Sequence, residues 1–401
     1  MKKAFALFAL LLASALPVAR AEPVRIGLFG LFKTEIIEVR IASGEGAVLS
    51  TGTLRGERRL RRGDSVRIRL AGSRLGVTVS DAHGGIKRSL DAREASIHPD
   101  EAAALELTLP GRMRRDVRGR LSVSPGERQL RIVLTTDSEP AVSSVVAAEM
   151  TGEREPEAIK ALSVVVRTYM LAHMGRHSHE GFDFCDTTHC QVYRGEADLA
   201  REASSPLIAA SVRATRGERL GFGGREIESY YTAACGGESA TPAMVWGGRP
   251  EGGYRFQRVS CHWCRASRYS RWERSAPASS VLDALSAELK TRLSSSAELR
   301  TESDHADDFV RAVTLNDHGR RASMTSDEFR RAIGRSLGWN TVLSPTFTIE
   351  RRGPNFIFRG RGFGSQIGLC LAGASAQAAA GRGYREILSF YYPNTELEAE
   401  D

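Results

Sequence analysis

Cysteine is absent before Cys185 in this chain of 401 residues. The N-terminal part therefore has no disulfide or thiolate-metal staple, and packing alone must hold it. Beyond residue 18 no stretch is apolar over the roughly 20 residues a membrane-spanning helix needs. There is no strong internal repeat, no low-complexity linker and no nucleic-acid-binding motif. Gly360-Arg361-Gly362-Phe363-Gly364 lacks the helix that follows in a dinucleotide fingerprint. Cys261-His262-Trp263-Cys264 lacks the strand-to-helix setting of a thioredoxin-like redox motif.

The N-terminus carries a signal of its own. Lys2 and Lys3 precede an apolar run over residues 4–18, and Ala19-Arg20-Ala21 is a small-x-small cleavage pattern. Residues 1–21 read as a secretory signal peptide, with a mature chain from Glu22. The expectation is a secreted or periplasmic protein, soluble after cleavage, with no transmembrane segment. Pro17 and the short apolar run argue against an uncleaved anchor. The formal charge of +8 falls to +5 once Lys2, Lys3 and Arg20 are removed. That mild excess suits an anionic polymer and an ordinary exported protein equally.

Residues 22–135 read as β-rich. Val66, Ile68 and Leu70 alternate with Arg67 and Arg69, and Val77 and Val79 follow the same period. Gly63-Asp64 and His83-Gly84-Gly85 mark turns. The arginines at 58, 59, 61 and 62 read as a solvated strand edge, with polymer contact the rival. Ser138-Glu139-Pro140 opens a short helix, and a second begins at Pro156 and stops near Gly175. Later helices are expected around 277–300, from Ser326, and over Tyr384–Tyr391. A strand is expected over 308–315, and a hairpin joins Phe347-Thr348-Ile349 to Phe356-Ile357-Phe358.

Chemistry concentrates in a few places. Glu149 sits at the junction of two helices, where a carboxyl group can face a cleft. His177, His179, Cys185, His189 and Cys190 crowd one short segment. Two thiolates and two imidazoles suit tetrahedral zinc, so His179, Cys185, His189 and Cys190 are the expected ligands. His177 could replace His179, and a Cys185–Cys190 disulfide is the rival. Four filled positions leave no water on the ion, which makes the site structural. Cys235, Cys261, Cys264 and Cys370 are expected in disulfides, with a second metal site the weaker alternative. Tyr230, Tyr231 and Trp246 lie beside glycine turns, where aromatic faces can stack on sugars.

Several of these blocks occur in an ordered series resembling the SpoIID/LytB family of peptidoglycan lytic transglycosylases and amidase enhancers, across roughly residues 130–395. They are Glu149-Met150, Arg167-Thr168-Tyr169, the run from Cys185 to Gly195, Ser229-Tyr230-Tyr231 with Cys235-Gly236-Gly237, Val245-Trp246-Gly247-Gly248, Gly360 to Gly364, and Gly383 to Leu388. The resemblance implies an α+β fold: a β-rich N-terminal region, then a mixed α/β catalytic domain over 136–401 with a glycan-binding cleft and a helical insertion near 277–335. It implies cleavage of peptidoglycan glycan strands, with peptide-free strands the expected substrate, to 1,6-anhydro ends. Glu149 is the implied acid and base. Arg167, Tyr231, Thr232, Gly237, Trp246, Gly364 and Ser365 are the implied substrate contacts, and zinc is implied at the His/Cys segment. The alternative is a non-catalytic glycan-binding enhancer partnered with a cell-wall amidase. A zinc hydrolase with an open coordination position is a further rival. Leu162, Thr232, Ser365 and Leu371 depart from polar residues common in the family, while Glu149 is kept.

Overall fold

The computed structural model describes residues 23–52, 57–101, 103–195, 205–247, 253–303 and 308–399. The expected signal peptide and Gly248 lie outside the described residues. Alternating apolar residues make the N-terminal region β-rich among the described residues, with one 3-10 turn at Gly30–Phe32. Its strands are β1 (Pro23–Leu28), β2 (Ile36–Ser43), β3 (Gly46–Ser50), β4 (Arg58–Arg61), β5 (Ser65–Ala71), β6 (Arg74–Ser80), β7 (Ile86–Ala92), β8 (Ala95–Pro99), β9 (Ala104–Leu109), β10 (Met113–Val117), β11 (Arg120–Pro125) and β12 (Leu130–Asp137). They form one sheet in the order β1-β12-β11-β8-β3-β4 and another in the order β10-β9-β2-β5-β6-β7. Both sheets bury their inward set in one core, with Ile37, Ile68 and Val77 from one and Leu49, Ile97 and Leu134 from the other. Period-two patterning decides which residues enter it. The arginine run forms the edge strand β4, where Arg59 makes a two-pronged ion pair with Asp100. That agrees with the solvated-edge reading.

From β12 the chain passes directly into α1 (Ser138–Glu149) and then α2 (Pro156–Ala172). Pro156 occupies the first turn of α2, where a missing N–H is harmless. Ala158, Leu162, Val165, Val166 and Tyr169 are buried as expected, but so are Ile159, Val164 and Met170 on other faces. A helix apolar all round belongs inside a protein. Around α2 pack α1, α3 (Ser205–Ala214), α7 (Leu371–Ala379) and α8 (Tyr384–Tyr391). The hydrophobic core runs unbroken from the strands into this helical layer.

Residues 272–358 hold a second core. The expected helical insertion is half sheet. Between α5 (Ala278–Leu289) and α6 (Ser326–Leu337), the strands Glu298–Ser303, Val310–Asp317 and Arg320–Thr325 form a meander. Leu299, Val313, Leu315 and Met324 are its buried face, a period-two signal hidden by the polar residues between them. Thr325, not Ser326, caps α6, through a capping box with Glu328. The expected hairpin forms as Phe347–Arg352 against Asn355–Gly360.

One latch joins the sandwich to the His/Cys segment. Phe184–Cys185 adds to β1 as a short parallel strand. A Cβ on Gly27 would lie 2.6 Å from the Phe182 ring, so only glycine admits that approach. Beyond the strand, Asp186 accepts hydrogen bonds from the Phe29 amide at 2.9 Å and from Arg115 Nη1 at 2.7 Å. Both partners of the Arg115–Asp186 pair are buried. Breaking a buried pair by removing one partner costs about 3–5 kcal/mol. Asp186→Ala should lower stability by that order in urea unfolding. A loss below about 1 kcal/mol, the level of a surface pair, would overturn the latch.

Candidate functional site

Glu149 is the last residue of α1, and the strand Tyr231–Thr232 runs beside it. Val145 and Val146, one turn earlier, are buried and hold its backbone against the core. The Tyr231 hydroxyl donates to Glu149 Oε1 at 3.3 Å. Burial raises the Glu149 carboxyl above its ordinary value of 4.5. The Tyr231 hydrogen bond and the charge of Arg194 pull it down without cancelling the rise. A position at the C-terminal end of a helix acts in the same direction as burial. Burial, with the neighbouring Glu149 charge, lifts the Tyr231 phenol well above its ordinary value, so it remains a donor. This carboxyl group is placed to hold a proton at higher pH than a surface glutamate.

The other expected contact residues divide into groups. Successive side chains of a strand point to opposite sides, so Tyr231 meets Glu149 while Tyr230 meets Trp246, with ring centroids 5.1 Å apart. Trp246 is 46% exposed, which leaves ring surface open to a ligand. Thr232 is buried and braces the glycine-rich loop. Its hydroxyl donates to the Phe363 carbonyl at 2.8 Å and accepts from the Gln366 amide at 3.1 Å. Gly364 has φ 104°, and a Cβ there would stand 2.5 Å from Thr232 Oγ1. Ser365 accepts from the Ile367 amide at 3.3 Å. Gly237, at φ 109°, accepts the Cys261 amide at 2.9 Å.

Arg167 departs from its expected role. It is 3% exposed, and its guanidinium grips both oxygens of Glu139, at 2.6 and 2.9 Å, and the Glu218 carbonyl at 2.8 Å. Its position on the all-buried α2 commits it to packing. Conversely, Gln366 was not singled out from the sequence. It is fully buried in a left-handed backbone conformation. It donates to the Cys235 and Arg361 carbonyls at 2.7 and 3.0 Å and accepts from Thr346 Oγ1 at 2.7 Å. Its place directly after the glycine-rich loop was the available signal.

Among the described residues, no cavity is found that gathers the expected glycan contacts. A cavity of about 330 Å³ lies instead between the sandwich and the His/Cys segment. Phe29, Met113, Asp186, Tyr193 and Arg194 are among its lining, and none of the expected contact residues is.

The His/Cys segment does converge. The ligand atoms of His177, Cys185, His189 and Cys190 lie within 4.8 Å of one another and could hold a metal ion. Cys190 Sγ is 3.4 Å from His177 Nε2 and 3.6 Å from His189 Nδ1, and Cys185 Sγ is 3.7 Å from His189 Nδ1. His177 takes the position expected for His179. The latter is 77% exposed with its ring toward Glu180. Glu180 also lies 2.6 Å from His177 Nδ1, which turns Nε2 to the sulfurs. The His177-x-x-Glu180 spacing over one tight turn was the signal that separates the two histidines. A hydrogen bond from Cys190 holds the Cys185 thiol down at about 4 and pushes Cys190 up.

The second expectation for cysteine is corrected. Cys235, Cys261, Cys264 and Cys370 are all buried free thiols, and their sulfurs lie within 4.8 Å of one another. They form a second cluster that could hold a metal ion, where disulfides were expected. Sequence spacing could not show that three distant segments meet at one point.

The Glu149 geometry has a consequence for stability. A carboxyl whose folded value is raised costs stability once ionised, and the cost disappears as pH falls below 4.5, the ordinary value. Glu149→Gln should therefore melt higher than the wild type at neutral pH, with the gain vanishing under acid conditions. Thermal melts at the two pH values check this, and a variant less stable at neutral pH would overturn the buried-acid assignment.

Comparison with known proteins follows the same segment. The family model SpoIID, described as stage II sporulation protein, matches residues 126–222, which hold α1, α2, the His/Cys segment and α3. A stage II sporulation protein D of Bacillus subtilis (strain 168) is 24% identical over 280 residues, covering 66% of this chain and 75% of that protein. An amidase enhancer of the same organism is 26% identical over 303 residues, covering 64% of this chain and 40% of the enhancer. An uncharacterised protein of Brachyspira hyodysenteriae is 27% identical over 285 residues, covering 70% and 71%. Through the domain model across its helical core and through these distant relatives, this chain matches the SpoIID/LytB-like family.

Proposed function

We propose that this protein acts in cell-wall metabolism by engaging peptidoglycan glycan strands, in the way of a SpoIID/amidase-enhancer protein. Similarity to stage II sporulation protein D and to an amidase enhancer supports that role. The receiving surface would carry the exposed Trp246 ring and the backbone at Gly237 and Gly364, with Thr232 and Ser365 bracing the loop behind and Tyr231 over Glu149 on the other side of its strand. Aromatic faces stack on sugar rings, and residues without a Cβ let main-chain amides approach them. The enhancer reading, glycan binding without turnover and coupled to an amidase, is favoured by the loss of polar groups. Leu162 and Leu371 are buried apolar side chains, and the Thr232 and Ser365 hydroxyls are occupied by the loop itself.

A second reading, lytic transglycosylation, is favoured by one observation: the raised carboxyl of Glu149 under the Tyr231 hydroxyl. Protonated Glu149 would give its proton to the glycosidic oxygen as the bond to C1 breaks. The carboxylate left behind would take the proton of the sugar's C6 hydroxyl as that oxygen bonds to C1. The product is a 1,6-anhydro end, and Glu149 is restored. Tyr231 would orient the carboxyl group and stabilise its charged form between the two transfers. No second carboxylate is required, unlike ordinary glycoside hydrolysis.

The His177, Cys185, His189 and Cys190 cluster fits zinc. Bonds of about 2.3 Å to sulfur and about 2.0–2.1 Å to nitrogen put tetrahedral neighbours about 3.6 Å apart. The observed 3.4 to 3.7 Å match that spacing. Four protein ligands fill the coordination, so the ion would brace the loop that pairs with β1 and take no part in proton transfer. A zinc hydrolase would need one of these ligands withdrawn.

Peptide-free glycan strands incubated with the mature protein, then analysed by mass and by pull-down, test the function. Retained strand binding without new anhydro ends, with stimulation of an amidase, supports the enhancer reading. Anhydro ends that fall about 100- to 10,000-fold in Glu149→Gln support the second reading. Absence of both binding and cleavage would sink the proposal. For the metal, His177→Ala should lose bound zinc and His179→Ala should keep it. Equal zinc content in the two variants would reassign the ligand.

A further inference from the structure

We propose that Cys235, Cys261, Cys264 and Cys370 form a second metal site, an all-thiolate centre that takes a structural zinc ion. The chain brings these residues from three separate segments. Cys235 follows the Tyr231–Thr232 strand, Cys261 precedes a 3-10 turn that contains Cys264, and Cys370 caps the N-terminus of α7. All four are 0–1% exposed. Zn–S bonds of about 2.3 Å set tetrahedral sulfurs about 3.8 Å apart. Cys235 Sγ and Cys264 Sγ are 3.6 Å apart, and every sulfur lies within 4.8 Å of the other three.

The surroundings are those a cluster of thiolates needs. The amides of Cys235 and Gly373 each point at Cys370 Sγ, at 3.3 Å. Tyr391 Oη lies 3.2 Å from Cys261 Sγ and can donate to it. Zinc binding displaces four thiol protons and leaves a centre of net charge about −2, which such donors disperse. Gly373 keeps the approach open, since a Cβ there would collide with the Tyr391 hydroxyl and stand 2.9 Å from Cys261 Sγ. With four buried sulfurs there is no position for water or substrate, so the centre is structural. Zinc has no geometric preference of its own and accepts the four-sulfur tetrahedron without redox change.

The position of the centre says what it holds. Cys370 is the parallel partner of Thr232, one residue from Tyr231. The Cys235 carbonyl accepts the Gln366 side chain that anchors the glycine-rich loop. The ion would therefore staple the strand carrying Tyr231, that loop and α7 from behind the Glu149 face. The sandwich-side His/Cys cluster braces a different loop, and the two sites are separable by mutation.

Metal content of the full mature chain, purified without chelator, tests this independently of any glycan activity. About two zinc equivalents are expected in the wild type and about one in a Cys185→Ser/Cys190→Ser variant, which keeps all four thiols proposed here. Cobalt exchanged into that variant should show thiolate charge-transfer bands of an all-sulfur tetrahedron, and Cys264→Ser should remove them. If Cys264→Ser fails to fold, the cobalt spectrum of the double variant decides alone. No zinc in the double variant, or disulfides mapped among the four cysteines of the wild type, would overturn the proposal. Iron in place of zinc would overturn the choice of ion.

Discussion

The helical layer of the molecule is arranged by the need to bury α2 on all sides. A helix with Ile159, Val164, Val165 and Met170 all inaccessible to water cannot lie on a surface. Four other helices close around it, and strand Arg219–Phe222 also packs on it. The polar groups it carries must then be satisfied inside. Ser163 and Thr168 donate back to the carbonyls one turn earlier, at 2.8 Å each. Thr168 also accepts the Leu220 amide at 2.9 Å, and Arg167 is neutralised by Glu139. Ser229 donates to the Val165 carbonyl at 2.7 Å, which fixes the chain two residues before Tyr231. The place of the candidate acid and of the tyrosine above it thus follows from how this helix is packed.

The functional face is built from pieces with little regular structure. Among the described residues the Tyr231–Thr232 strand pairs with Leu369–Cys370 alone, and the glycine-rich loop is joined to the chain beyond it by a single antiparallel bridge between Phe363 and Ala234. Side chains take over the work that a sheet would do. Thr232 and Gln366 tie the loop through main-chain contacts, and the four buried cysteines gather its ends. On the opposite flank, Asp186 and the His/Cys segment fasten the helical layer to β1.

Much of the fold was legible because it rests on period and composition. The alternation at Val66, Ile68, Val77 and Val79 and the hairpin at residues 347–360 are local patterns, and they formed where local patterning put them. Reading failed where the deciding contact was distant. The meander within residues 298–325 was hidden because polar residues outnumber the buried ones on its strands. Arg167 looked like a ligand contact because the half-buried Glu139 that claims it is 28 positions away. His177 and His179 were equivalent by spacing, and the Glu180 contact separated them.

By itself the sequence determined the β-rich beginning, the buried helix, the family resemblance, and Glu149 as the acid to watch. The first two depend on side-chain type at short range, where hydrophobic period acts, whereas Glu149 was marked by the family resemblance. Only the tertiary structure decided that Tyr231 covers Glu149, that Thr232 serves the loop, and that Cys235, Cys261, Cys264 and Cys370 share one point. Those outcomes depend on the packing of segments that lie up to 135 residues apart in the chain, and no local pattern encodes the distance between them.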